Sequence, residues 1–213
     1  MLPQMLTLPA LRAAYAGGLT PLDVIEEVIA RRAALVDPAV FISTVPDDAL
    51  RAAARALMAT GPEGRPLWGV PFAVKDNIDA AGLPTTAACP AYAYDPATDS
   101  AVVARLRAAG AIVIGKTNLD QFATGLNGTR SPYGAPRSVF NADYVSGGSS
   151  SGSAVAVAAG ICSFALGTDT AGSGRVPAAF NNLVGIKPTP GRVPNTGVVP
   201  ACRSVDVVTV FAG

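Results

Sequence analysis

Val145-Ser146-Gly147-Gly148-Ser149-Ser150-Ser151-Gly152-Ser153 opens a stretch that continues through Ala154-Val155-Ala156-Val157-Ala158-Ala159. It ends in Gly167-Thr168-Asp169-Thr170-Ala171-Gly172-Ser173-Gly174-Arg175 and Gly185-Ile186-Lys187-Pro188-Thr189. Two glycine–serine turns thus bracket a segment with the composition of a buried helix and strand. Glycine admits positive φ and lets a ligand approach bare amides, and serine offers a hydroxyl that can act as nucleophile or proton relay. Hydroxyls and free N–H groups at the ends of adjacent elements are what an acyl-transfer site needs. The first turn is not a linker, because a strongly apolar segment follows it rather than a second domain. It is not a phosphate loop of the G-x-x-x-x-G-K-[ST] kind, because that lysine is missing. A serine-capped helix start is compatible with a catalytic turn, since one turn can be both.

The chain has 213 residues and no histidine. No Ser-His-Asp or Cys-His pair can exist, so a general base must be Lys, Asp, Glu, Tyr or a second hydroxyl. For a nucleophilic site the serine–lysine variant remains. Upstream, Leu67-Trp68-Gly69-Val70-Pro71-Phe72-Ala73-Val74-Lys75 reads as a buried strand that closes on a lysine, followed by Asp76-Asn77. Lys75 either reaches the surface or is buried. If buried, its ammonium form is disfavoured and its neutral amine becomes available as a base.

Half the residues are apolar and 15% are charged, a buried-sheet composition. The net charge of +1 comes without a basic block, which argues against nucleic acid and anionic membrane surfaces as partners. Cys89, Cys162 and Cys202 form no C-x-x-C pair. No disulfide framework, zinc site or other metal site is therefore expected, buried thiols are the ordinary reading, and a reducing compartment fits. With no signal-peptide pattern and no apolar run long enough to span a bilayer, the expected location is the cytoplasm.

Helices are expected over 7–16, from Thr20-Pro21-Leu22-Asp23 to about Ala34, over 47–60, and over 100–109; strands are expected over 40–44, 67–75, 111–115 and 164–168. Val176 to Phe180 reads as a short helix, and 205–213 is left unassigned. The helix-then-strand order argues for an α/β layer with parallel neighbours. The loop-rich stretch from Asn118 to Tyr133, with Gly125, Asn127 and Gly128 near its middle, is a natural wall for a substrate pocket.

These motifs resemble the amidase signature family. The carriers are Gly147-Gly148-Ser149-Ser150-Ser151-Gly152-Ser153, Gly167-Thr168-Asp169-Thr170, Gly185-Ile186-Lys187-Pro188-Thr189 and the lysine strand Gly69–Asn77. The resemblance runs over roughly 20–213. Within the family it is greatest to the allophanate hydrolase branch, carried by Leu83–Ala91, Gly125–Gly134 and Gly172–Asn182. Ala171 and Gly174, where the wider family usually has glycine and a branched apolar residue, point to the same branch.

The resemblance implies an α/β fold with a mixed β-sheet covered by helices, and a Ser-cisSer-Lys triad. Ser173 would be the nucleophile, Ser149 the relay on a cis peptide bond, and Lys75 the base. The amides of Thr170, Ala171, Gly172 and Ser173 would form the oxyanion hole. Ser150, Asp169 and Arg175 would support the site, with Asp169 and Arg175 paired, and Gly125 and Asn127 would contact the substrate. The implied reaction is hydrolysis of the terminal amide of allophanate, with release of ammonia and no cofactor, in a homodimer. The family's catalytic domain is longer than this chain, so the resemblance implies that 1–213 is the N-terminal portion of one domain, incomplete at its C-terminus. The residues that bind the substrate carboxylate would then lie beyond Gly213. Other readings are a carboxamide hydrolase or the glutaminase subunit of a tRNA amidotransferase, with the same chemistry, or a catalytically silent fragment. A cysteine amidase of the nitrilase kind is disfavoured, because no cysteine sits in a turn beside acid and lysine signals.

Overall fold

The computed structural model describes residues 2–213. Its centre is a six-stranded mixed sheet of order β1-β3-β2-β4-β6-β5. The strands are β1 (Phe41–Thr44), β2 (Pro71–Lys75), β3 (Ile112–Thr117), β4 (Phe164–Asp169), β5 (Val184–Ile186) and β6 (Val207–Ala212). β2 runs parallel to both β3 and β4, as the α/β reading requires. β1 is antiparallel to β3, β6 to β4, and β5 to β6. The three central strands are buried along their whole length, which is why they read as apolar runs rather than as alternation. Phe72 of β2 and Phe164 of β4 stack with ring centroids 5.1 Å apart, fastening the two strands that carry the site.

The helices are α1 (Leu8–Ala16), α2 (Pro21–Ala33), α3 (Asp47–Thr60), α4 (Ala101–Ala108), α5 (Ser151–Ala158) and α6 (Arg175–Phe180). Their starts follow local chemistry. Thr20 and Asp23 make the reciprocal capping box expected of them, and Thr7 and Ser100 cap α1 and α4. Val24, Ile25 and Val28 of α2 and Leu50 and Ala54 of α3 turn into the main core.

Three expectations are corrected. The strand expected from Leu67 begins only at Pro71. Gly69 has φ +71° and its amide donates to Gly110 O, so 67–70 form a turn. β3 extends past Gly115 to Lys116 and Thr117, whose side chains are fully buried. The unassigned 205–213 region contains β6, which pairs with β4 along its whole length. Among the described residues no helix is long and apolar enough to cross a membrane.

Candidate active site

The site lies where β2 and β4 end and α5 and α6 begin. Lys75 is the last residue of β2, and its side chain is fully buried. Its Nζ lies 2.8 Å from Ser149 Oγ and 2.7 Å from Thr168 Oγ1. Burial drives its pKa from the ordinary lysine value down to about 7, against the opposing pull of Asp120, Asp169 and Asp206. The reading of Lys75 as a surface lysine is therefore excluded.

Ser149 follows a cis peptide bond from Gly148, as the resemblance implied. The serine turn is a packed element rather than a linker: Ser149, Ser150, Ser151 and Ser153 are all buried, and α5 starts at Ser151. Ser150 Oγ bridges to β4, donating to Thr168 O at 3.2 Å and accepting from Thr168 N at 3.3 Å. The Ser150 amide donates to Ser173 O at 3.2 Å, which brings the two serine turns together.

Ser173 is buried at the start of the α6 turn. Its hydroxyl donates to Gly125 O at 3.3 Å, so the resting contact is with the 125–128 loop rather than with Ser149. This places Gly125 beside the nucleophile candidate. Asn127 is exposed, and its Oδ1 accepts from Thr129 N and Oγ1.

Asp169 is the hub of the second turn. Its buried carboxylate accepts from the amides of Gly172, Gly174 and Arg175, at 2.8, 3.0 and 3.2 Å. It also accepts from Arg175 Nε and an Nη, each at 3.0 Å, while Lys187 Nζ lies 3.3 Å away. Burial alone would raise its pKa. The Arg175 guanidinium, the amides and Lys187 together hold it well below the carboxylate range. The expected Asp169–Arg175 pair is present. One expected oxyanion donor needs correction: the Gly172 N–H is turned inward to Asp169, because a buried anion claims the nearest donors. The amides of Thr170, Ala171 and Ser173 donate to no acceptor among the described residues. Thr170 is tied down through its side chain to Asp206 and through its carbonyl to Lys187 Nζ, the latter at 2.9 Å.

Several participants escape a reading of the sequence. Thr168 stands there only as part of a motif, yet it is the second partner of Lys75. Asn77 Nδ2 donates to Val199 O at 3.0 Å behind it. Lys116 Nζ lies 3.1 Å from Asp76 Oδ1 in a buried pair, and burial lowers its pKa while Asp76 opposes that shift. Asp120 and Asp206 are buried acids near the site. Asp76 and Asn77 stand out in the sequence only as the pair that follows Lys75, and nothing local marks the others. The cysteines stay outside the site: Cys162 is buried with its thiol pushed up to about 12, and Cys202 is exposed, against the expectation of buried thiols. No group of three or more potential metal ligands occurs among the described residues.

Comparison with known proteins places this chain in a family. The amidase family profile matches residues 23–213. The urea amidolyase of Lachancea kluyveri is 71% identical over 147 residues, covering 69% of this chain and 8% of that protein. A glutamyl-tRNA(Gln) amidotransferase component from Symbiobacterium thermophilum is 47% identical over 203 residues, covering 92% of this chain and 41% of that protein. The structure of Kluyveromyces lactis allophanate hydrolase superposes with a TM-score of 0.86 at 56% identity, covering 94% of this chain and 33% of that one. The chain thus spans less than half the length of each of these relatives, and it belongs to the amidase family.

Proposed function

We propose that this chain carries the nucleophile, relay and base of a serine amidohydrolase that releases ammonia from the terminal amide of allophanate. The observation that carries the reading is the buried contact of 2.8 Å between Lys75 Nζ and Ser149 Oγ, in the turn whose Ser150 amide donates to Ser173 O. The choice of substrate rests on similarity to the urea amidolyase and allophanate hydrolase relatives.

The Ser173 hydroxyl first swings from Gly125 O to Ser149 Oγ. Its oxygen then bonds to the amide carbon, its proton passes to Ser149, and the Ser149 proton passes to neutral Lys75. The carbonyl π pair moves onto oxygen, where the amides of Thr170, Ala171 and Ser173 can donate to it. Collapse breaks the C–N bond. The nitrogen takes the proton back from the Lys75 ammonium through Ser149 and leaves as ammonia. Water then attacks the acyl group on Ser173 through the same relay, frees the acid and restores the serine. Asp169 touches no reacting atom and holds the turn: its bonds to Gly172 and Gly174 set the direction of the remaining amides.

A second reading is the glutaminase part of an amidotransferase, favoured by 47% identity across 92% of the chain to such a component. The discriminating experiment measures ammonia release from allophanate, malonamide and glutamine, with Ser173→Ala as control. Release from allophanate alone, abolished by the substitution, is expected. Release from glutamine alone would favour the amidotransferase reading, and release undiminished in Ser173→Ala would overturn both.

A further inference from the structure

Asp120 precedes the short turn Gln121–Ala123, and its side chain is fully buried. Its carboxylate accepts from the amides of Gly128 and Arg130, at 3.0 and 2.8 Å. Its own amide donates to Ser149 O at 3.0 Å. The loop it grips carries Gly125 O, the acceptor of the Ser173 hydroxyl, and Leu126 O, the acceptor of the Gly148 amide at 2.8 Å. A Cβ at Gly125 or Gly148 would lie 2.4 or 2.3 Å from Asp120 Oδ2. Two glycines therefore clear the space this carboxylate occupies between the two serine-bearing segments.

The charges around Lys75 are unevenly compensated. On β4, Asp169 is matched by Arg175 and Lys187. At the end of β2, Asp76 is matched by Lys116 of β3. Before β6, Asp206 has Thr170 and the amides of Ala201 and Cys202. Asp120 forms no ion pair among the described residues and has only its two loop amides. Of the acids that favour the Lys75 ammonium, it contributes most.

We propose that Asp120 is a positioning residue of this site. It fixes the Gly125–Arg130 loop against Ser149 and Ser173 and, as a buried anion without a cation of its own, biases the Lys75–Ser149 pair toward the protonated amine. The inference rests on Lys75 being the base. Asp120 would act through Lys75 and the loop and touch no reacting atom, and its charge would raise the pH above which the base is free.

The test is an NMR titration of the Lys75 side chain, in parent and Asp120→Asn, beside the pH profile of ammonia release. Asparagine nearly preserves the shape and removes the charge. The Lys75 midpoint, and with it the acidic limb of the rate profile, is expected to move to lower pH by about 1 unit, on top of any fall in rate from the loosened loop. An unmoved midpoint with reduced rate would make Asp120 scaffold only and overturn the proposal. An unmoved midpoint with unchanged rate would overturn both halves of it. If Asp120→Asn does not fold, the Asp120 carboxyl ¹³C resonance of the parent serves instead. It should shift in step with the Lys75 midpoint, and indifference to that midpoint overturns the coupling. The titrations need no turnover. A parent that releases no ammonia would thus count against the proposed function, while the Lys75 midpoint would still decide the role of Asp120.

Discussion

Lys75 Nζ and Ser149 Oγ lie 2.8 Å apart with both side chains fully buried, although 74 positions separate them in the chain. An amine in that setting has lost most of its hydration, and among the described residues its hydrogen-bond partners are two hydroxyls. The neutral form is therefore accessible near neutrality, which an exposed lysine would not allow.

Ammonia release should rise with pH through about 7 and then level off. The base acts when unprotonated, and Lys75 loses its proton at about 7. Lys75→Arg, which stays charged, should abolish the rising limb together with the activity. Initial rates between about pH 5.5 and 9 check this. A flat profile in the parent would argue against Lys75 as base.

The same lysine should make stability depend on pH. Its folded value of about 7 lies below the ordinary 10.5. Between those values the unfolded chain binds more protons than the folded one, so stability rises with pH across that window. Below about 7 both forms are protonated and the folded state bears the full cost of the buried charge. Denaturant unfolding should show a gain of a few kcal/mol from about pH 7 to 10 attributable to this group. Lys75→Met should flatten that slope.

Asp169→Ala should be among the most damaging single changes. It strips the acceptor from three backbone amides and leaves Arg175 and Lys187 without their anion. A loss of about 1–3 kcal/mol is expected from the buried amides left unsatisfied, with activity lost as well because the Ser173 turn is no longer held. The parent carboxylate is depressed in the folded state. Its contribution is present above the ordinary carboxylate range and fades as the pH falls below it. Urea midpoints at about pH 7 and about pH 3, parent against variant, should therefore lie closer together at the acid end.

Gly148→Ala tests the packing beside Ser149. The added Cβ would lie 2.3 Å from Asp120 Oδ2 and 2.5 Å from the Gly128 amide nitrogen. Neither is a flexible chain end, so the turn must shift, at a cost of about 1–3 kcal/mol and with most of the activity. Gly17→Ala is the control: its Cβ would meet nothing closer than 3.4 Å, and its effect should stay within about 0.5 kcal/mol. Thermal melts and ammonia release on both variants decide the matter.

The boundaries readable in the sequence are those set by neighbours in the chain. Thr20 and Asp23 close a capping box across three positions, Ser100 caps α4, and Gly61 ends α3. The glycine–serine turns declare themselves because their chemistry is local, and family resemblance suggests the roles proposed for Ser173, Ser149 and Lys75. The turn at 67–70 is hidden because a glycine with positive φ looks like any other glycine in an apolar run.

Composition and turn chemistry by themselves determined that this is an α/β protein with serine turns and no histidine base. Only the tertiary structure decided the strand order, the burial of Lys75, its second partner Thr168, the inward turn of the Gly172 amide and the clamp made by Asp120. The physical reason is distance along the chain. A cap or a turn is satisfied within about four residues, whereas a buried polar group takes whatever partners the packed fold brings to it. For Lys75 those partners lie 74 and 93 positions away.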